Sequence, residues 1–353
     1  MSETNDRSRP MTYREAGVDI DAQDRALARI RAHVASTRTP WVLSELGSFG
    51  GLFRVPESVG EPVLVASTDG VGTKLLVARM AGRHDTVGQC LVNHCVNDIL
   101  VMGARPLVFL DYFAVGRLEP DVAEQIVRGV AIACRENGCA LVGGETAEMP
   151  DIYRPGDYDL AGTIVGVVSR ERILDGSRVR AGDLLFGLPS TGLHTNGYTL
   201  ARKIVFERMG LGVDDPLPGV GASAGDALLA VHRSYLGALG AALDGGLVSA
   251  LAHITGGGLT DNLPRVLPEG LGARIRLGSW PVPELFHVLQ REGGVPQDDM
   301  LRTFNCGIGM VAVVAPGQAD AFVAALDAAG ERAWRIGEIV AGERAVRYEG
   351  AVW

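Results

Sequence analysis

Residues 84–103 read HDTVGQCLVNHCVNDILVMG. The segment predicts a helix whose apolar residues run almost all round the wheel instead of along one stripe. Such a helix has to be covered on every side, so it lies between layers of other structure. Gly103 and Pro106 supply its stop signal. Asp98 conflicts with that burial. It shares a helical row with Val87, Leu91 and His94, and an unpaired carboxylate in an interior costs several kcal/mol. Something has to neutralise it.

Working outward, VLVAS at 63–67 and LVFLDYFAV at 107–115 predict strands on either side of this helix. A second helix is predicted at about 120–137, with Pro120 in its first turn and Asp121 and Glu124 near its positive end. Val122, Ile126 and Val130 share one of its faces. CALVGG at 139–144 and GTIVGVVS at 162–169 predict further strands. Charged, turn-rich RERILDGSRVRAGD at 170–183 marks a junction. After it come a strand, LLFGLP, and a helix, TLARKIVFERM at 199–209. The chain therefore predicts an α/β or α+β fold in two αβ domains, 11–172 and 173–353, behind a loose leader at 1–10.

Net charge is −9, from 33 basic against 42 acidic residues. That balance argues against nucleic acid or an anionic membrane as a partner, while small anions remain open to local backbone N–H groups. No apolar run reaches the ~18 residues of a membrane span. The opening MSETNDRSRP has no apolar core of a secretory signal. The five cysteines, Cys90, Cys95, Cys134, Cys139 and Cys306, form no CxxC pair. Buried free thiols in a reducing compartment, and hence a cytoplasmic protein, are expected.

Four segments combine glycine with polar groups: GSFGGLF (47–53), TDGVGTK (68–74), VNDILVMGA (96–104) and VGGETAEMP (142–150). Asp69 and Glu145 each follow a strand, and Asp98 needs a partner. Three acids on one scaffold suit a hard cation such as Mg²⁺, which takes oxygen ligands and bridges to phosphates. Lys74 can serve as a point charge on a phosphate. Gly50, Gly51, Gly70 and Gly72, with Thr73, would let backbone N–H groups approach anionic oxygens. TDGVGTK has neither the GxxxxGK[ST] nor the GxGxxG spacing. Its own residues leave three readings open: a phosphate loop, an ordinary strand turn, or a structural cation site.

In the second half, STGLHTNGY (190–198) sets His194 and Asn196 between glycines. They suit proton transfer or substrate hydrogen bonding, and helix capping accounts for them equally well. Thr255, Gly256, Gly257 and Gly258 open a helix and make an anion pocket or a flexible turn. His94 is expected in packed core. His33, His84, His232, His253 and His287 stand isolated in the sequence, without metal-ligand spacing.

Taken in order, YREAGVDIDA (13–22), GSFGGLF, STDGVGTK, CVNDILVMGA, FLDYFAVG, GGETAEMP, TGLHTNGY, TGGG with NLPRVLP, and RTFNCGIGM resemble the phosphoribosylformylglycinamidine cyclo-ligases of purine biosynthesis. The resemblance runs from about residue 11 to about residue 340. It implies an N-terminal ATP-binding domain, a C-terminal αβ sandwich domain and a homodimer joined through N-terminal strands. It also implies a ligase that closes the ring of formylglycinamidine ribonucleotide with ATP, giving 5-aminoimidazole ribonucleotide, ADP and phosphate. On this chain, Asp69, Asp98 and Glu145 would hold Mg²⁺ with ATP. Lys74, Thr73 and the glycines around Gly50 and Gly72 would contact phosphate, and His194 and Asn196 would lie near the reacting groups. Helix-terminus physics, more than the resemblance, assigns the ribose phosphate to Thr255–Gly258. His94 has no role in the family pattern. The rival readings are a small-molecule kinase or selenophosphate synthase of the same superfamily, or a non-catalytic nucleotide-binding protein.

Overall fold

The structure is a computed structural model that describes Arg14, residues 17–44 and residues 50–351. The expected leader at 1–10 and Gly47–Phe49 of the first glycine segment lie outside the described residues.

In the first half, helix α1 (Ile20–Ala35) is followed by β1 (Pro62–Gly70), α2 (Lys74–Ala81) and α3 (Asp85–Leu100). Then come β2 (Arg105–Val115), α4 (Pro120–Glu136), β3 (Ala140–Glu148) and β4 (Tyr158–Ser169). The sheet order is β1-β4-β2-β3. β4 runs antiparallel to both its neighbours, while β2 and β3 are parallel, as a strand–helix–strand crossover through α4 requires. Ile164, Phe109 and Phe113 are buried on the helix side of this sheet. The opposite side carries the half-exposed Leu64 and Tyr112.

The second half begins with β5 (Leu184–Pro189), α5 (Tyr198–Arg202), which continues as a wider turn to Arg208, α6 (Ala224–Leu229) and α7 (Leu236–Asp244). β6 (Ala250–His253), α8 (Gly258–Asn262), β7 (Leu271–Arg276), α9 (Glu284–Gly293) and α10 (Gln297–Thr303) follow. β8 (Ile308–Val314), α11 (Ala319–Ala328), β9 (Trp334–Ala341) and β10 (Val346–Glu349) complete it. Its sheet order is β10-β7-β9-β5-β8-β6, antiparallel except for the β10–β7 pair. Strand β8, between β5 and the edge strand β6, is buried along its whole length.

α3 is the keystone between the halves. Val87, Leu91 and Ile99 are wholly buried, which explains why the helix is apolar all round. Its polar residues reach across to the second half. The Asn93 and Asn97 amides donate to the carbonyls of His232 and Arg233 at 2.8 and 2.9 Å. The Tyr235 N–H donates back to Asn97 Oδ1 at 2.9 Å.

Candidate active site

β1 ends at Gly70, and its last carboxylate stands at the seam between the halves. Asp69 Oδ2 lies 2.8 Å from His94 Nε2, and Asp98 Oδ2 lies 3.8 Å from the same nitrogen. The two acids keep 47% and 24% of their side-chain exposure, while His94 keeps 4%. His94 and Asp98 are four residues apart on α3 and so share a face. Asp98 is also held by Ser67 Oγ at 3.0 Å and His253 Nδ1 at 2.8 Å. Its need for a partner is met by histidine from the second half.

Electrostatics follow from those contacts. Burial is the largest single influence and pushes both carboxyls up, but the histidine hydrogen bonds and charges, with the Gly70 N–H and the Ser67 hydroxyl, together outweigh it, so Asp69 and Asp98 sit below the usual carboxylate range. Burial opposes a charge on His94, yet the two acids raise its affinity for a proton above normal. His253 is lowered because burial outweighs Asp98. His194 and His232 are pushed well down, first by burial and then by neighbouring cationic groups. Two ionised acids at a seam, one half-open, offer the oxygen ligands of a hard cation.

Glu145 does not join them. It pairs with Tyr112 across β2–β3, and Tyr112 pairs with Ala161, which pairs with Gly70. Three strand spacings of ~4.8 Å put it roughly 14 Å from the end of β1. Alternation sets it on the open face with Tyr112, whereas Asp111 faces the helices. The three-acid set is therefore corrected to a pair, Asp69 and Asp98, within one chain. Gly51 is also on the far edge, where an added Cβ would come 2.9 Å from the Val142 side chain. Neither it nor Gly50 meets the Gly70–Gly72 turn.

Lys74 departs from expectation too. Its ammonium is buried and donates to the carbonyls of His194 at 3.0 Å and Ala230 at 2.6 Å, and to Cys90 Sγ at 3.2 Å. Tyr198 lies beneath it, 5.4 Å from ring centre to Nζ. All three donors are taken, so the side chain ties the halves together instead of reaching a phosphate. Thr73 Oγ1 lies 3.1 Å from Thr199 Oγ1 across the same seam. Gly72 has φ +61° and open space around its α-carbon, so the backbone there stays bare.

The second-half segments do converge here. His194 is buried at φ +61° and stacks on His232 with ring centres 4.0 Å apart. Asn196 Nδ2 is buried without a partner. A Cβ on Gly256 would come 3.4 Å from Asn196 Oδ1, so the glycine turn abuts this amide. Asn262 closes that turn by donating to the carbonyls of Gly256 and Gly258 at 3.1 and 2.9 Å.

Sequence reasoning missed His94, His232 and His253. The spacing of His94 to Asp98 was the one available signal, since His232 and His253 arrive only through the fold.

Comparisons with known proteins give the family of the chain. Residues 51–168 match the family described as AIR synthase related protein, N-terminal domain, and residues 180–349 match its C-terminal domain. The phosphoribosylformylglycinamidine cyclo-ligase of Sorangium cellulosum is 55% identical over 332 residues, 94% of this chain and 95% of that protein. The chain belongs to the phosphoribosylformylglycinamidine cyclo-ligase family. The Geobacter sulfurreducens cyclo-ligase is 54% identical over the same shares of the two chains. The chain is an enzyme of this ligase family, and neither the kinase nor the non-catalytic reading is favoured. Solved structures share the fold at lower identity. Thiamine-monophosphate kinase from Stenotrophomonas maltophilia superposes with a TM-score of 0.68 at 21% identity, covering 93% of this chain and 97% of that one. The hydrogenase maturation protein HypE in complex with ATP gives 0.64 at 21% identity, covering 93% and 91%.

Proposed function

We propose that the chain performs the cyclo-ligase reaction at the seam between its halves. ATP phosphorylates the formyl amide oxygen of formylglycinamidine ribonucleotide. The amidine nitrogen then attacks the activated carbon, the C–O bond to phosphate breaks, and the nitrogen gives up a proton as the imidazole closes. One observation carries the assignment of residues. Asp69 and Asp98 converge on His94 beside an unpaired Asn196 amide and a bare glycine turn. Donors without partners and paired carboxylates are the arrangement a phosphorylated ligand needs.

Asp69 and Asp98 fit Mg²⁺ by donor type, and an ion held there would neutralise charge on the phosphates. The chain's own groups do the positioning. The turn at Gly70–Thr73 presents bare backbone to ATP. Asn196 donates to the substrate. Thr255–Gly258 takes the ribose phosphate at the start of α8. His194 stands behind Asn196 as a neutral imidazole. Lys74 acts through the seam, by holding the His194 carbonyl.

A homodimer through the open face of the first sheet accounts for the exposure of Leu64 (55%) and Tyr112 (37%) there. Glu145 then belongs to that interface. We assign ATP to the first half and the ribotide mainly to the second, in a cytoplasmic enzyme. Among the described residues, no helix is long and apolar enough to cross a membrane. Substrate-dependent ADP release is the test. Mg·ATP with formylglycinamidine ribonucleotide must release ADP, and release that ignores the ribotide overturns the reading.

A further inference from the structure

Residues 304–309 lead from the end of α10 into β8 and carry none of the groups placed at the ligands. Asn305, within this stretch, is 3% exposed. Its amide bonds at both ends. Nδ2 donates to the Gly192 carbonyl at 2.8 Å. Oδ1 accepts from the Ser190 hydroxyl at 2.9 Å and from the Gly307 N–H at 2.9 Å. A carbonyl only accepts and an N–H only donates, so these two backbone partners fix which way round the amide lies. The contact to Gly307 closes an Asx turn over Cys306, which holds φ +47°. A side chain anchored in its own turn thus grips the loop after β5 on both sides of Thr191.

That grip passes along the loop. The Thr191 N–H donates to His194 Nε2 at 3.1 Å, so the peptide held by Asn305 orients the His194 ring. A Cβ on Gly309 would come 2.4 Å from His194 Cε1, so the ring lies against bare backbone of β8. Further on, a Cβ on Gly197 would come 2.3 Å from the Phe304 ring, which fills that space. Asn196, with its Nδ2 buried and unpartnered, stands between these two braces. The glycine turn rests on the same stretch. The Ile254 N–H donates to the Gly309 carbonyl at 3.0 Å. A Cβ on Gly258 would come 1.9 Å from the Leu301 carbonyl oxygen and 2.9 Å from that of Phe304. Residues 301–309 therefore support both the Asn196 loop and the turn at 255–258.

We infer that Asn305 is a positioning residue for the ribotide. It holds the loop at 190–196 in register with the turn at 255–258, so that the Asn196 amide and the glycine turn meet one ligand together. The inference rests on the reading that the ribotide binds between these two segments. Asn305 touches no ligand itself and acts through Thr191, His194 and Asn196. Without its amide, the Gly192 carbonyl and the Ser190 hydroxyl lose their partner, and the loop is free to shift against the turn. A displacement of about 1 Å at a reacting group is enough to cost about 100-fold in rate.

Steady-state kinetics of Asn305→Ala and Asn305→Ser beside the wild type test this, with the Kd of Mg·ATP measured in the absence of ribotide. Asn305→Ser keeps an oxygen for the Gly307 N–H, so the turn persists, but it no longer reaches Gly192. kcat/KM for the ribotide should fall about 100-fold in Asn305→Ala and by less in Asn305→Ser. Mg·ATP affinity should stay that of the wild type. The losses should not add: Asn305→Ala should cost much less in an Asn196→Ala background than in the wild type, because it acts through that amide. A purely structural role lowers Tm and leaves kcat/KM per folded molecule intact. That pattern, additive losses with Asn196→Ala, or an equal fall in Mg·ATP affinity would each overturn the inference. If Asn305→Ala lacks a cooperative unfolding transition, Asn305→Ser carries the same tests. Wild-type enzyme without ribotide-dependent ADP release overturns the reaction and this inference together, whereas the variant outcomes strike the inference alone.

Discussion

Lys74 Nζ donates to the His194 carbonyl at 3.0 Å, so the turn after β1 is bonded directly to the loop carrying the candidate catalytic histidine. A buried ammonium with every donor satisfied is a structural tie. Burial opposes its charge, but Cys90 and Tyr198 outweigh that and raise its affinity for the proton. Lys74→Met would orphan the carbonyls of His194 and Ala230, at about 1–3 kcal/mol each. A fall in Tm of several degrees should follow. Calorimetry checks it, and an unchanged Tm with lost ATP affinity would return Lys74 to the phosphate.

Asp69 is the more exposed of the two paired acids, so its loss should cost ligand binding more than fold. Asp69→Asn keeps the shape but removes the charge. Mg·ATP affinity should fall about tenfold or more, equivalent to about 1.4 kcal/mol. Titration with Mg·ATP decides, and an unchanged Kd removes Asp69 from the site.

Much of this site could be read from the chain, and the omissions have physical causes. α3 was legible because its apolar residues surround it, and Asp98 because it broke that pattern. Local composition placed His194, Asn196 and the glycine turn on loops, and the fold brought them together. Strand order was not legible. Glu145 and Asp69 follow similar strands in sequence, yet β4 and β2 separate them. His232 and His253 have no sequence neighbours that signal function, since their partners lie 135 and 155 residues away on α3. The inward turn of Lys74 depends on carbonyls supplied by another segment, which no local pattern encodes.

Gly257 holds φ +99°, and a Cβ there would come 2.7 Å from Asp261 Cβ, so any substitution strains the turn itself. Gly256 is the cleaner probe. Gly256→Ser crowds Asn196 Oδ1 at 3.4 Å without demanding a new backbone conformation. It should raise KM for the ribotide while leaving KM for ATP nearly unchanged. Steady-state kinetics with each substrate varied checks this, and the reverse order reassigns the turn to ATP.

Asp111 faces the helices of the first half, and burial pushes its carboxyl up to about 7. The folded state therefore holds this proton more tightly than the unfolded chain does. Its contribution to stability is present at acid pH and is lost as pH rises from the ordinary carboxylate range through about 7. Asp111→Asn should remove that loss. Thermal unfolding between pH 5 and 8 should show a wild-type Tm that falls relative to the variant. Parallel curves would show that Asp111 ionises normally.

The most direct measurement follows aminoimidazole formation when purified enzyme meets formylglycinamidine ribonucleotide and Mg·ATP. One 5-aminoimidazole ribonucleotide should form for each ADP released, and Asp98→Asn should abolish both together. ADP release without aminoimidazole, or full turnover by Asp98→Asn, would contradict the account.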